Sequence, residues 1–317
     1  MIKIVFHGNP LNERGTAVAI YDYAYYVREY FNIEPVILYK SNHEYNSSIA
    51  IQRFSDQFKT ISYHNHRELE SYIDQEAADY FYAIKFGTVS DELVSNAKNL
   101  VHSVYVSDPA HVHGHRYATV SEYQSSLVNF TIPYVPHMIY PINENADLRE
   151  QLGIPKSAVV LGRYGGLDTF DVPFVWQSIL QSLNQRNDLW YIFMNTPREI
   201  YHPRCIFLDP VVDQKEKTKF VNTADAMIHA GYRGETFGLA ILEFAIRGKN
   251  IIVFDNFYGG RNHHLYLGDN CFRYNSETSL NNILMNLEKK SYFNTEYLIE
   301  KYNPRAVMNK FAEVFLT

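Results

Sequence analysis

Residues 229–245 read HAGYRGETFGLAILEFA and lie between two apolar runs, 226–228 and 251–254, that each predict a buried strand. Within this stretch Gly234 and Gly238 flank a polar turn, and a helical pattern begins at Gly238. The N–H groups at the start of a helix have no partner within it and attract anions, so the turn suits a diphosphate. The stretch therefore predicts a strand, a ligand-binding turn and a helix, in that order.

Two acidic side chains lie on either side of the start of this helix. Glu235 comes just before it, where its carboxylate can accept hydrogen bonds from sugar hydroxyls. Glu243 lies within the helix, where a carboxylate can bind both hydroxyls of a ribose. Gly248 can end the helix. The alternative interpretation is an ordinary helix with one capping and one surface glutamate.

Strands and helices alternate on both sides of this stretch. The first half of the chain predicts strands at 2–6, 35–39, 62–64, 80–84 and 100–106, with a helical pattern over 17–27. The second half predicts strands at 159–161, 189–194, 206–208, 226–228 and 251–254, with a helix over about 173–183. This alternation predicts an α/β protein with two similar domains, each built on a parallel sheet, and is consistent with a cleft between them.

Three prolines, Pro133, Pro136 and Pro141, indicate an extended segment between the two halves. A chain of 317 residues is long enough for about two domains. We place an N-terminal Rossmann-like domain at 1–140, a C-terminal Rossmann-like domain at 141–303, and at 304–317 a docking helix that could return to the N-terminal domain.

Composition and charge favour a soluble enzyme. Hydrophobic residues make up 46% and charged residues 20% of the chain, and the net charge of -6 gives no reason to expect nucleic acid as a partner. Two cysteines form no disulfide framework, no apolar run reaches the ~18–20 residues that span a bilayer, and no signal peptide precedes the first strand. We therefore expect a cytoplasmic protein without an integral membrane segment. We interpret Lys215, Lys217 and Lys219, interleaved with acidic residues, as a solvated helix face.

The stretch at 229–245 resembles the Glu-x7-Glu signature of retaining GT-B glycosyltransferases of the family 4 type. The resemblance implies two Rossmann-like domains with parallel sheets facing a central cleft, the N-terminal one on the acceptor side and the C-terminal one holding a nucleotide-sugar donor. It implies that Glu235 contacts the donor sugar and Glu243 the nucleotide ribose. It also assigns to the donor site the residues between them, namely Thr236, Phe237, Gly238 and Leu239.

Arg163, at the end of the strand predicted at 159–161, resembles the arginine of the family's Gly-Arg pair, which reaches the donor phosphates. The same resemblance places Gly165 beside it, and Gly15 in a loop that closes over the donor pyrophosphate. The family usually has a lysine a few residues after the Gly-Arg pair, and this sequence has none there. Either Arg233 or Lys85, the latter from across the cleft, could supply the missing charge.

Many family members also carry a histidine at the end of the strand predicted here at 100–106, and that position is unfilled. Nearby candidates are His102, Asp108, His111, His113 and His115. We expect a catalytic role for His111 with Glu235 and Arg163, and acceptor-side roles for Lys85, His102, Asp108 and His113. Imidazoles and a carboxylate also suggest zinc, but their spacing does not match a helical His-Glu-x-x-His motif. We therefore expect no metal site.

The expected reaction breaks the bond between the anomeric carbon and the diphosphate, whose growing charge Arg163 and the helix N-terminus stabilise. We expect no cofactor, because protein cations can do the work of a divalent ion. The expected partners are a nucleotide-sugar donor and a glycan, lipid-linked or protein-linked acceptor. Two alternatives stay open: a nucleotide-sugar epimerase of the same architecture, and a non-catalytic sugar-nucleotide or glycan-binding protein. A nicotinamide-dependent oxidoreductase is disfavoured because no Gly-x-Gly-x-x-Gly follows the first strand.

Overall fold

The computed structural model of the protein describes residues 1–89, 93–255, 259–294 and 296–317. The chain divides into two compact units. One comprises Met1–Met138 together with Tyr302–Thr317, and the other comprises Ile139–Lys301. The sequence pattern places these boundaries after residues 140 and 303, so each lies two residues earlier in the structure.

The N-terminal unit is built on a parallel sheet. Its described strands are β1 (Lys3–Gly8), β2 (Glu34–Lys40), β3 (Lys59–Tyr63), β4 (Tyr80–Lys85), β5 (Lys98–Ser103) and β6 (Arg116–Thr119). They pair in the order β3-β2-β1-β4-β5-β6, and each pairing is parallel. The accompanying helices are α1 (Gly15–Phe31), α2 (Ser48–Gln57), α3 (Glu68–Glu76) and α4 (Glu122–Ser126), with a short 3-10 helix at Pro109–His111. Consecutive residues Ile4, Val5 and Phe6 are all buried, as a strand covered on both faces requires.

The C-terminal unit repeats this architecture. Its main sheet consists of β7 (Val159–Tyr164), β8 (Leu189–Met194), β9 (Cys205–Leu208), β10 (Ala226–Ile228), β12 (Asn250–Phe254) and β14 (Phe272–Tyr274), and two shorter strands are β11 (Gly234–Glu235) and β13 (Gly260–Arg261). The sheet order is β14-β12-β10-β7-β8-β9, again with parallel pairings. The described helices are α5 (Val175–Gln185), α6 (Gln214–Thr223), α7 (Leu239–Ala245), α8 (Asn262–Leu267), α9 (Glu277–Asn286) and α10 (Tyr297–Tyr302).

The C-terminal segment belongs to the N-terminal unit. It forms helix α11 (Pro304–Phe311) and a π-helical turn at Ala312–Leu316. Asn303 caps α11 by accepting the Ala306 N–H with its side chain, and proline occupies the first turn, where no N–H is needed. The apolar face of this segment lies in the same core as α1 and β1, through the buried residues Val307, Met308, Phe311 and Phe315.

Both main sheets have the strand order 3-2-1-4-5-6 when their strands are numbered along the chain. This is the order of a Rossmann-like domain, so the prediction of two such domains with parallel sheets is confirmed. One strand is shorter than predicted: β5 ends at Ser103, and the next carbonyl, that of Val104, accepts a hydrogen bond from the Gln124 side chain. Among the described helices, none has the length and apolar character needed to cross a bilayer.

Candidate active site

Glu235 lies between β10 and α7, in the short strand β11. Gly234 pairs with Gly260 of β13, and Glu235 pairs with Arg261. A Cβ atom on Gly234 would clash with the carbonyl oxygen of Gly260, and one on Gly260 would lie 2.5 Å from the carbonyl carbon of Glu235. Gly234 also has a φ of +65°, which disfavours other residues. The two glycines therefore permit a close backbone approach that fixes the position of Glu235.

His229 follows β10 and contacts the Glu235 side chain. Its Nε2 atom lies 3.3 Å from Oε1 of Glu235. The His229 backbone is held on both sides, since its N–H donates to the Ile252 carbonyl and its carbonyl accepts from the Tyr274 hydroxyl. The His229 side chain is 5% exposed and that of Glu235 is 32% exposed, so a buried imidazole supports a carboxylate that solvent or a ligand can reach. The sequence pattern predicts no role for His229, although this residue lies in the same stretch six residues before Glu235.

Two further histidines, His263 and His264, extend this buried group from α8. The ring centroids of His229 and His263 are 5.1 Å apart, and those of His263 and His264 are 4.1 Å apart. Burial lowers the pKa of His263 well below its usual value, and burial lowers the pKa of His264 to about 4. These two side chains are therefore neutral near pH 7. Across the described ranges, no three histidine, cysteine or acidic side chains are arranged to hold a metal ion.

The start of α7 is braced by α8. Gly238, with a φ of +88°, precedes the first helical residue Leu239, and a Cβ atom there would lie 2.8 Å from the Tyr266 hydroxyl. That hydroxyl donates to the Gly238 carbonyl at 3.0 Å, and the Asn262 side chain donates to the Phe237 carbonyl at 3.0 Å. The carbonyls of Phe237 and Gly238 are thus held by α8, and α7 begins at Leu239 with the N–H groups that find no partner within a helix.

Arg163 has a different environment from the one that the sequence suggests. The residue is 2% exposed, and its guanidinium donates to four protein oxygens on two loops. Nη2 donates to the Gly166 carbonyl at 2.6 Å and to Thr169 Oγ1 at 2.8 Å, while Nη1 donates to the Asn195 carbonyl and to Thr196 Oγ1. Burial lowers its pKa to about 10, against the opposing influence of Glu235 and Asp168, so Arg163 remains charged.

The neighbours of Arg163 include some of the predicted donor residues. A Cβ atom on Gly165 would lie 3.1 Å from Nη2 of Arg163, and the Gly165 carbonyl accepts from the Asn195 side chain at 2.8 Å. Thr236 is half-buried beside Glu235, whereas Arg233 is exposed. Arg163 therefore organises the loop that follows β7, and its charge acts on Glu235 without a direct ion pair between them in the described contacts.

Glu243 lies within α7 and is paired with a lysine. Nζ of Lys217, on α6, lies 2.5 Å from Oε1 of Glu243, and the two side chains are 12% and 19% exposed. The interpretation of Lys215, Lys217 and Lys219 as one solvated face is therefore wrong for Lys217. The reason is that α6 packs against this part of the unit, so its i+2 neighbours point in different directions: Lys215 is exposed, and Lys219 pairs with the exposed Glu216.

The candidate residues of the N-terminal unit are spread over α1, β4, β5 and the loop that follows β5. His102 lies in β5 and is 0% exposed; its Nδ1 atom is 2.7 Å from the Tyr82 hydroxyl and its Nε2 atom 2.8 Å from the Val135 carbonyl. Burial lowers its pKa to about 4. His102 therefore stabilises the core as a neutral imidazole, and with no exposed surface it does not offer the acceptor contact that the sequence suggests. Lys85, at the end of β4, is also buried, and Gly15 is exposed at the start of α1.

Asp108, His111 and His113 share one surface loop. Asp108 caps the 3-10 helix at Pro109–His111, with Oδ1 accepting the Ala110 N–H at 2.9 Å. Nδ1 of His113 donates to the His111 carbonyl at 2.7 Å, and both histidines are half-buried. The structure thus brings these three predicted residues together, and it brings Arg163, Gly165 and Glu235 together in the C-terminal unit.

Two Rossmann-like domains of this strand order in one chain define the GT-B class of fold. No protein-family model matches the chain, and no curated protein matches it. Solved structures match it over its full length. A glycosyltransferase from Rickettsia africae ESF-5 has a TM-score of 0.67 at 14% identity, covering 99% of this chain and 97% of that one.

Two further structures of the same fold are named for different ligands or activities. Anabaena HepE in complex with UDP-glucose has a TM-score of 0.70 at 14% identity and covers 99% of each chain. A Listeria monocytogenes protein whose structure is named as that of a UDP-N-acetylglucosamine 2-epimerase has a TM-score of 0.63 at 12% identity. The match covers 100% of this chain and 97% of that one. Similarity at these identities shows a common fold.

Proposed function

We propose that this chain is a glycosyltransferase that moves a sugar from a nucleoside-diphosphate sugar to an acceptor hydroxyl. The arrangement of Glu235 carries the proposal, because its backbone is fixed by Gly234 and Gly260, its side chain rests on His229, and a third of that side chain is exposed. Glu243 follows at the Glu-x7-Glu spacing. The UDP-glucose complex of a protein with the same fold supports a nucleotide-sugar as the donor.

Each part of the site has a role in this proposal. Glu235 orients the donor sugar by accepting hydrogen bonds from its hydroxyls. The diphosphate lies at the first turn of α7, where the amides beginning at Leu239 face the charge that grows as the anomeric bond breaks. Arg163 positions the loop from Tyr164 to Thr169 and adds positive charge from beneath it. We propose no covalent role for Glu235.

The proposal includes retention of the anomeric configuration, which rests on the resemblance of the Glu-x7-Glu stretch. It includes no resident metal or cofactor, since amides and cations of the chain can neutralise the leaving diphosphate. The acceptor is a glycan, lipid-linked or protein-linked hydroxyl. We propose that the loop containing Asp108, His111 and His113 contributes to acceptor binding, with a proton-transfer role for His111.

A donor screen followed by one substitution tests the proposal. UDP-, GDP-, ADP- and dTDP-sugars are first ranked by the rise in melting temperature that each causes. Release of nucleoside diphosphate from the best donor is then measured for the wild type and for Glu235→Gln. The loss of charge-assisted hydrogen bonds to the sugar should lower kcat by roughly tenfold to a hundredfold. Glu277→Gln, which changes an exposed carboxylate of α9, serves as the control. Full activity of Glu235→Gln on the true donor would exclude this role.

An epimerase is the second candidate, supported by the epimerase-named structure of the same fold. The two reactions give different products from the same donor. A transferase incubated with donor alone releases nucleoside diphosphate and free sugar slowly, and an acceptor accelerates this release. An epimerase instead returns an isomeric nucleotide-sugar without needing an acceptor. Chromatography of the nucleotide products separates these outcomes, and binding without any turnover would indicate a non-catalytic protein.

A further inference from the structure

Lys217 differs from the other lysines of α6 because its side chain is largely buried and forms an ion pair with another helix. Its side chain is 12% exposed, and the ammonium group lies 2.5 Å from Oε1 of Glu243. Burying an ammonium costs free energy unless an opposite charge compensates it, and the Glu243 carboxylate supplies that charge. The pair joins α6 to α7, two helices that are separated along the chain by β10 and β11.

The Tyr164 side chain packs beside the Lys217–Glu243 pair. It ends β7, directly after Arg163, and its ring lies 5.7 Å from Nζ of Lys217. The ring also stacks on Phe244, the residue after Glu243, with centroids 5.6 Å apart. The Tyr164 hydroxyl is buried and has no hydrogen-bond partner among the described atoms. An unpaired buried hydroxyl of this kind indicates a place where a bound ligand or water completes the hydrogen bonding.

We infer that Lys217 is a positioning residue that holds Glu243 ready to bind the two hydroxyls of a ribose, and that it thereby gives the proposed donor site its preference for ribonucleotides over deoxyribonucleotides. This inference rests on the proposed function. A carboxylate has two acceptor oxygens and can bind both hydroxyls of a vicinal diol, and the ion pair at Oε1 restricts the rotation of the Glu243 side chain.

Calorimetry on the full-length protein tests the inference with UDP, ADP and GDP and with their 2′-deoxy forms. For the nucleotide that binds best, the wild type should prefer the ribose form by roughly tenfold, the value of one charged hydrogen bond. Lys217→Met keeps the length and apolar stem of the side chain but removes its charge. This variant should bind the ribonucleotide roughly tenfold more weakly and the deoxynucleotide unchanged, so the preference should disappear.

Two variants serve as controls. Lys219→Met removes a lysine from the same helix, where it pairs with exposed Glu216, and should keep the preference of the wild type. Lys217→Arg retains the charge and should restore most of the preference. In a Glu243→Gln background, Lys217→Met should have no further effect on the ratio of the two dissociation constants, because the group that it positions is already changed.

The outcomes separate this inference from the proposed function. If Lys217→Met folds and keeps the ratio of the wild type, the inference is overturned while the donor site stands. If Lys217→Met does not fold, Lys217→Gln replaces it with the same expected loss. If the wild type binds none of the nucleoside diphosphates, the proposed function fails, and the inference fails with it.

Discussion

Nε2 of His229 lies 3.3 Å from Oε1 of Glu235, at the carboxyl end of the central strand β10. A buried imidazole thus supports one oxygen of a carboxylate that is one-third exposed. The contact resembles the support that buried groups give to ligand-binding side chains in other enzymes, where misplacement of the binding group by a fraction of an ångström reduces activity.

Replacing His229 should therefore impair Glu235 without removing it. We expect His229→Phe to lower kcat by roughly tenfold, because the lost hydrogen bond leaves the carboxylate in several conformations. His229→Asn, which retains a side-chain donor, should recover part of this loss. The exposed His64→Ala is the control. Steady-state kinetics on the best donor checks the prediction, and an unchanged kcat for His229→Phe would show that the contact is only structural.

Substitution of Gly260 should displace the same carboxylate through the backbone. A Cβ atom there would lie 2.5 Å from the carbonyl carbon of Glu235 and 2.7 Å from the Thr236 nitrogen, both of them backbone atoms that cannot rotate away. We expect Gly260→Ala to reduce the free energy of unfolding by about 1–3 kcal/mol and to lower turnover.

Gly15→Ala provides the comparison for stability. No atom lies within 4 Å of a Cβ on Gly15, which begins α1, so this change should stabilise the protein by up to about 1 kcal/mol. Urea unfolding gives the free energy of unfolding of both variants. A Gly260→Ala protein as stable and as active as the wild type would contradict the close approach of β11 and β13.

Substitution of Arg163 tests whether this residue positions the surrounding loops or binds the donor phosphates directly. Its four hydrogen bonds to loop oxygens predict that Arg163→Met loses at least about 3 kcal/mol of stability, together with donor affinity. If Arg163 instead binds the phosphates directly, as the sequence resemblance implies, stability should stay near that of the wild type while nucleoside-diphosphate binding falls. Urea unfolding and calorimetry on the same preparations separate these two results.

The buried histidines predict how stability depends on pH. Burial lowers the pKa of His102 and of His264 from 6.5 to about 4 in the folded protein. Between these values the unfolded chain binds more protons than the folded one, so the free energy of unfolding falls as pH decreases from 6.5 towards 4. The urea midpoint should therefore be lower at pH 5 than at pH 7. His102→Gln removes one of these groups and should show a smaller change. A midpoint that is constant from pH 7 to pH 5 would contradict the burial of these imidazoles.

The alternation of apolar strands with helices predicts both sheets, because strands buried on both faces leave continuous apolar runs in the sequence. Element ends are less predictable. The pattern places one helix over about 173–183, whereas α5 covers Val175–Gln185, since the turn that precedes it is closed by the Val175 N–H bonding to the Val172 carbonyl. Such local hydrogen bonds leave no periodic signal.

Within the site, the sequence indicates which residues are candidates, but it does not indicate which side chains or carbonyls they contact. Glu235 and Glu243 stand out through their spacing around a glycine turn. The lysine that pairs with Glu243 lies on α6, and two of the four oxygens that accept from Arg163 lie on the loop after β8, so no motif connects them. His102 shows the same limit, because only the pairing of β5 between β4 and β6 reveals that its imidazole is enclosed.

A crystal structure with the nucleoside diphosphate that raises the melting temperature most would test the central claim directly. The account predicts that the ribose hydroxyls contact Glu243 and that the terminal phosphate lies at the first turn of α7, next to Gly238 and Leu239. A nucleotide bound elsewhere, with Glu235 and Glu243 contacting only protein and solvent, would contradict it.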